Sequence, residues 1–100
     1  MAQPESRLSR EIARRFRARG GFIFKVHGGP TMMNGLPDLE GCYRGRFVGL
    51  ETKMPGGKQP TPVQRLRQQQ IRDAGGISEV VRSVADAMAV LDAIDASMDN

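Results

Sequence analysis

Asp38, Glu51 and Lys53 are the residues of this 100-residue chain whose types and spacing could do chemistry. In an extended strand, alternate side chains share a face, so Glu51-Thr52-Lys53 presents an acid and an ammonium together. Arg44-Gly45 reads as the turn of a hairpin between Asp38–Tyr43 and Arg46–Lys53. If Tyr43 faces Arg46 across that turn, counting back places Asp38 opposite Glu51. Opposed side chains have Cβ atoms about 4.5–5.5 Å apart, where like charges are destabilising. Carboxylate oxygens are hard ligands suited to Mg²⁺, which takes one or two of them and keeps several waters. Such a cation activates water and steadies charge developing on a phosphate, while an ammonium positions the nucleophile. The plainer alternative is a surface ion cluster. Phe47 and Gly49 precede Glu51 on the same face, which sets the acids at one end of a partly buried surface rather than on an open one.

The elements that must position these groups are punctuated by Gly and Pro. Leu8, Ile12 and Phe16 form one apolar stripe on a helix from Glu5 to Arg19, surrounded by six arginines and ended by Gly20-Gly21. Phe22 to His27 is the first strand, and a loop rich in breakers runs from Gly28 to Pro37. After the hairpin, Met54 to Pro60 reads as a flexible connector. Thr61-Pro62-Val63-Gln64 then starts a helix with a capping box and Pro at its first position. It runs to Ala74, with Val63, Leu66, Ile71 and Ala74 towards the core. Ile77 to Arg82 is a strand, and Ser83 with Asp86 opens a last helix with the stripe Val84, Met88, Leu91 and Ile94. The order α-β-β-β-α-β-α, with a strand–helix–strand crossover near its end, implies an α/β fold with a mixed sheet flanked by helices in one domain spanning residues 1–100.

Composition narrows the function classes. Residues 1–82 hold all 15 Lys and Arg against seven acids, while 83–100 hold four Asp and no base. A basic body with an acidic tail points to a polyanion as partner. One thiol, Cys42, and one histidine, His27, exclude disulfide scaffolds, zinc fingers and multi-histidine metal sites. No run approaches the roughly 20 apolar residues of a membrane span, and the N-terminus lacks a signal-peptide pattern. The expected location is cytoplasmic, in a bacterial or phage-infected cell. Gly56-Gly57-Lys58 leads into Gln59 rather than the hydroxyl residue of a phosphate-binding loop, so no nucleotide cofactor is expected.

Gly35-Leu36-Pro37-Asp38-Leu39, followed by Gly45-Arg46-Phe47-Val48-Gly49-Leu50-Glu51-Thr52-Lys53, resembles the PD-(D/E)XK nuclease signature. With the later Thr-x-x-Gln and Gly-Gly, it is similar to the VRR-NUC branch over roughly Arg10 to Ala87. The resemblance implies a restriction-endonuclease-like fold and an Mg²⁺- or Mn²⁺-dependent endodeoxyribonuclease, of the standalone phage or bacterial type that resolves four-way (Holliday) junctions as a homodimer. It implies Asp38 and Glu51 as metal ligands, the Thr52 carbonyl as a further one, and Lys53 as the group assisting the attacking water. The acid that the family places on its first helix matches Glu11, although Arg7, Arg14 and Arg15 around it explain Glu11 equally as an ion-pairing residue.

Lys58, Arg65 and Lys25 are expected DNA contacts, and Gln64 a contact or merely a cap. Arg67, Arg72 and the first-helix arginines would form a duplex-tracking surface collectively. Cys42 and the phenyl rings of Phe22, Phe24 and Phe47 are expected in the core. Resolving a junction takes two incisions and one chain offers one site, so a homodimer is expected, meeting through the last helix or the Met32-Met33 loop unless that helix caps its own core. The alternatives are a non-catalytic DNA-binding module of the same fold, a protein-interaction adaptor, and a nuclease acting on linear duplex or RNA.

Overall fold

The computed structural model describes residues 4–99, so both ends of the expected domain lie just outside the described residues. Its elements are α1 (Pro4–Ala18), β1 (Phe22–Lys25), β2 (Leu39–Tyr43), β3 (Arg46–Thr52), α2 (Pro62–Asp73), β4 (Ile77–Val81) and α3 (Val84–Met98). The expected order holds. The strands form one sheet ordered β1-β2-β3-β4, antiparallel except for β3 and β4, which run parallel on either side of the α2 crossover. Each strand is one or two residues shorter than its pattern suggested, so His27, Asp38 and Lys53 sit just beyond strand ends.

The hairpin register is the expected one: Tyr43 pairs with Arg46 and Leu39 with Leu50. Its turn has φ of 50° at Arg44 and 82° at Gly45. Two positive values in a two-residue loop match the right-handed twist of the flanking strands, and Gly45 adopts its value without a Cβ penalty.

One face of the sheet carries the core. Ile23, Leu39, Tyr43, Val48, Leu50 and Val81 pack under Ile12, Ala13 and Phe16 of α1 and Ala87, Leu91 and Ile94 of α3. The Phe16 and Tyr43 rings meet edge to face at 6.0 Å. The last helix therefore caps its own core. The expected acidic tail is not free either: Asp95 accepts from Arg19, Tyr43 and Arg44, and Asp92 pairs with Arg19, so α3 is riveted to α1 and to the hairpin tip.

The other face departs from expectation. Thr61 and Gln64 complete the capping box that starts α2. The helix is, however, rotated from the expected stripe: Val63 is 37% and Leu66 51% exposed, Ala74 is exposed, and Gln68 is the buried residue. Gln64, Arg67, Gln68 and Ile71, spaced three and four apart, are the inward positions, so a largely polar stripe faces the sheet. α2 packs against β4 and leaves the β1–β2 side of this face bare. Phe22, Phe24 and Phe47 are consequently 66%, 45% and 42% exposed, and Cys42 is exposed beside them, correcting their expected place in the core. Sheet alternation sends all four to the second face, on the part that α2 does not cover.

Candidate active site

Asp38 and Glu51 come together at the end of this second face because Pro37 and Gly49 fit each other. Gly49 lies one same-face position before Glu51, and a Cβ there would stand 2.9 Å from Cγ of Pro37. The absent side chain lets the proline ring lie on β3 and delivers Asp38 beside it. Two backbone bonds then hold Asp38. Its carbonyl accepts from the Val26 amide at 2.8 Å, and its Oδ2 accepts from the Thr52 amide at 2.9 Å. Lys53 is fixed through its own amide, which donates to the Val81 carbonyl at 3.0 Å.

Glu51 is 2% exposed, and its Oε2 has no hydrogen-bond partner among the described residues. Burial pushes its carboxyl up to about 8, reinforced by a hydrogen bond and charge repulsion from Asp38 and by the charge of Glu5, with Lys53 pulling the other way. In the metal-free chain near neutral pH, Glu51 accordingly keeps its proton, as a buried acid beside another carboxylate does. The donor chemistry fits a hard divalent cation, since it would satisfy the orphaned oxygen and replace the proton on Glu51. No group of three His, Cys, Asp or Glu side chains forms a ready cage among the described residues. Such a cation would thus lean on two carboxylates, a backbone carbonyl such as that of Thr52, and waters.

The other expected site residues are scattered. Glu11 forms a bidentate pair with Arg14 on exposed helix surface, which lowers its carboxyl. The α1 acid that acts on Glu51 is Glu5. It continues the buried Ser9–Ile12–Phe16 line one turn towards the N-terminus, a spacing that was visible in the sequence. Glu40 is a further acid on the Asp38 face, opposite Gly49, and burial raises its carboxyl. Gln64 is engaged in its cap. Arg65 donates to the Pro60 carbonyl, Arg67 to Asn34 and Arg72 to Ser78, so these arginines fasten α2 to its neighbouring segments. Lys58 is exposed, but its loop is clamped. Arg82 donates to the carbonyls of Met54 and Lys58 at 2.9 and 3.2 Å, which corrects the expected flexible connector. Lys25 is exposed on β1.

Beneath α2, the buried Gln68 Nε2 and Ser78 Oγ also lack partners, as does Glu51 Oε2. Ser78 pairs with Gly49 in the sheet. Buried polar atoms are normally satisfied. Polar groups therefore line the covered part of this face where a hydrophobic layer would be usual.

Among solved structures, the chain is similar to one described as "VRR_NUC domain", at 27% identity and a TM-score of 0.75 over 91% of this chain and 97% of that one. It is similar also to a "VRR_NUC domain protein", at 18% identity and a TM-score of 0.73 over 92% and 88%. No protein-family profile and no curated protein matches the sequence. These likenesses, over nearly the whole of each chain, support assignment of the VRR-NUC nuclease fold, with its open four-stranded mixed sheet, as the signature residues implied.

Proposed function

We propose that this nuclease-fold chain is a divalent-metal-dependent endodeoxyribonuclease that hydrolyses phosphodiesters at the Asp38–Glu51–Lys53 cluster. The observation that carries the reading is Glu51: a buried carboxylate with an unpartnered oxygen, placed against a second carboxylate at the end of a strand whose next face position is a lysine. Asp38, Glu51 and the Thr52 carbonyl would hold Mg²⁺ or Mn²⁺, which when bound supplies Lewis-acid activation of water and offsets charge on the phosphate. Asp38 is oriented for this by the Thr52 amide. Lys53 positions the attacking water and stabilises the charge that builds on the phosphate. Lys25, Lys58, Gln64 and Arg65 are the proposed strand contacts. Of the two α1 acids, Glu5 is the one whose charge reaches Glu51.

The substrate proposed is branched DNA such as a four-way junction, cut by a homodimer. Two incisions need two sites, and the chain has one. The last helix is spent on its own core, so the bare phenyl face of Phe22, Phe24 and Phe47, with the exposed Met32-Met33 loop, is the apolar surface proposed to meet a second copy.

The test compares a four-way junction, a flap and a linear duplex of the same sequence with Mg²⁺, Mn²⁺ or EDTA. Cutting is expected in both metals and lost in EDTA, with the junction preferred. Glu51→Gln and Lys53→Ala abolish cutting and leave DNA binding largely intact. Cleavage that survives Lys53→Ala unchanged overturns the assignment, and binding without any metal-dependent cutting indicates a non-catalytic module.

A further inference from the structure

A cleft of about 580 Å³ lies between α1 and β1, on the opposite side of the sheet from the carboxylate pair. Ser9, Arg10, Arg17, Lys25, His27 and Leu39 are among the residues that line it, and no Asp or Glu does. Arg17 is spent on the Ile23 carbonyl. Arg10, Lys25 and His27 have no acidic partner among the described residues. Ser9 is 3% exposed, and its Oγ has no hydrogen-bond partner among the described residues. A buried hydroxyl left unpaired costs stability unless something from outside completes it.

We infer that this cleft is a second phosphate-binding subsite, in which Arg10, Lys25 and His27 hold a nucleic-acid phosphate and the buried Ser9 hydroxyl donates to it. The ligand class follows from the lining. Basic side chains without competing acids, together with a neutral hydroxyl donor, match an oxyanion with several acceptor oxygens. The location fits a strand that also reaches the candidate active site. Lys25 pairs with Leu39, the residue after Asp38, and Leu39 with Leu50, the residue before Glu51, so the cleft lies at the same end of the sheet as the carboxylates and on its other face. A nucleic acid that follows this end of the sheet around the β1 edge would place one phosphate in the cleft and another, farther along, at the carboxylates. This inference deepens the nuclease reading and rests on it for the identity of the polyanion. It adds Ser9, Arg10 and His27 to the proposed contacts.

The test is DNA binding by fluorescence anisotropy in EDTA across a salt series, which reads the subsite without cleavage. Arg10→Ala/Lys25→Ala is expected to weaken binding of a labelled duplex about tenfold and to make the salt dependence shallower by about one unit of slope. Ser9→Ala breaks no bond within the fold, and it is expected to weaken binding severalfold with a melting temperature no lower than the parent's. Oligonucleotides with a 5′-phosphate or a 5′-hydroxyl separate the two sources. Equal loss on both identifies a backbone diester, and loss confined to the phosphorylated end identifies a terminal monoester. If the double variant is folded and binds with the parent's affinity and salt slope, the subsite is overturned. Metal-dependent cutting by the parent would then still stand, so the two readings fail separately.

Discussion

Cγ of Pro37 lies 2.9 Å from the point where a Cβ on Gly49 would be, so the ring that precedes Asp38 occupies the space of a missing side chain on the strand that carries Glu51. Gly49→Ala would force the ring outward and carry Asp38 with it. Overpacking of this kind costs about 1–3 kcal/mol. The expected outcome is a folded protein, by circular dichroism, with a lower melting temperature, weakened Mn²⁺ binding by calorimetry and a large loss of cutting. A variant that binds Mn²⁺ as the parent does would show that Pro37 does not position Asp38.

Glu51 makes metal-free stability depend on pH. Its carboxyl sits at about 8 in the fold against 4.5 in the unfolded chain, so between those values the folded state holds a proton that the unfolded state has released. The stabilisation is complete below about 4.5 and is lost as pH rises through about 8. Glu51→Gln removes this dependence. In EDTA, the variant should gain melting temperature relative to the parent from pH 5 to pH 8, by about 5 °C or more at the upper end. Added Mg²⁺ or Mn²⁺ should recover the parent's loss at pH 8 and leave the variant unmoved. Parallel curves for the two proteins would contradict the buried, protonated Glu51 carboxyl.

The two α1 acids give opposite expectations. Glu5→Gln removes a charge that Glu51 feels, so the proton held by Glu51 should leave at lower pH, seen as a downward shift of the metal-free stability transition. Glu11→Gln loses only the surface pair with Arg14 and should leave both that transition and the cutting rate within about twofold. Loss of cutting in Glu11→Gln alone would restore Glu11 to the site.

Asp95 anchors α3 to α1 and to the hairpin through Arg44, Tyr43 and Arg19, contacts that hold its carboxyl below the ordinary range. Its contribution is present above the unfolded value of 3.8 and is lost as pH falls through the lower folded value. Asp95→Asn should lower the melting temperature at pH 7 by a few degrees, with the difference from the parent narrowing on strong acidification. An unchanged difference at all pH values would place the effect in packing rather than charge.

The bare phenyl face offers a direct test of assembly. Phe22 and Phe24 have ring centroids 5.9 Å apart on the exposed side of β1. Phe22→Ser/Phe24→Ser leaves the buried Ile23 in place and should convert a dimer, seen by sedimentation at twice the chain's mass, to monomer. A double variant that sediments as the parent does would move the interface elsewhere.

Local chemistry determined much of this protein before any packing. The β2–β3 register follows from Arg44-Gly45, because a two-residue turn with positive φ leaves one pairing available, and that pairing sets Asp38 beside Glu51. Thr61 and Ser83 began their helices where their caps said they would, since a cap depends on residues only three positions away. Tertiary structure decided which side of each element meets a partner. The apolar residues of α2 did not reveal its rotation, because the helix lies over β4 and turns a polar stripe, including Gln68, to the sheet. The phenyl rings of β1 and β3 are apolar and still exposed, because four strands share one covering helix on that face. The charge of Glu5 reaches Glu51 across 46 positions of sequence, a relation that no local period encodes.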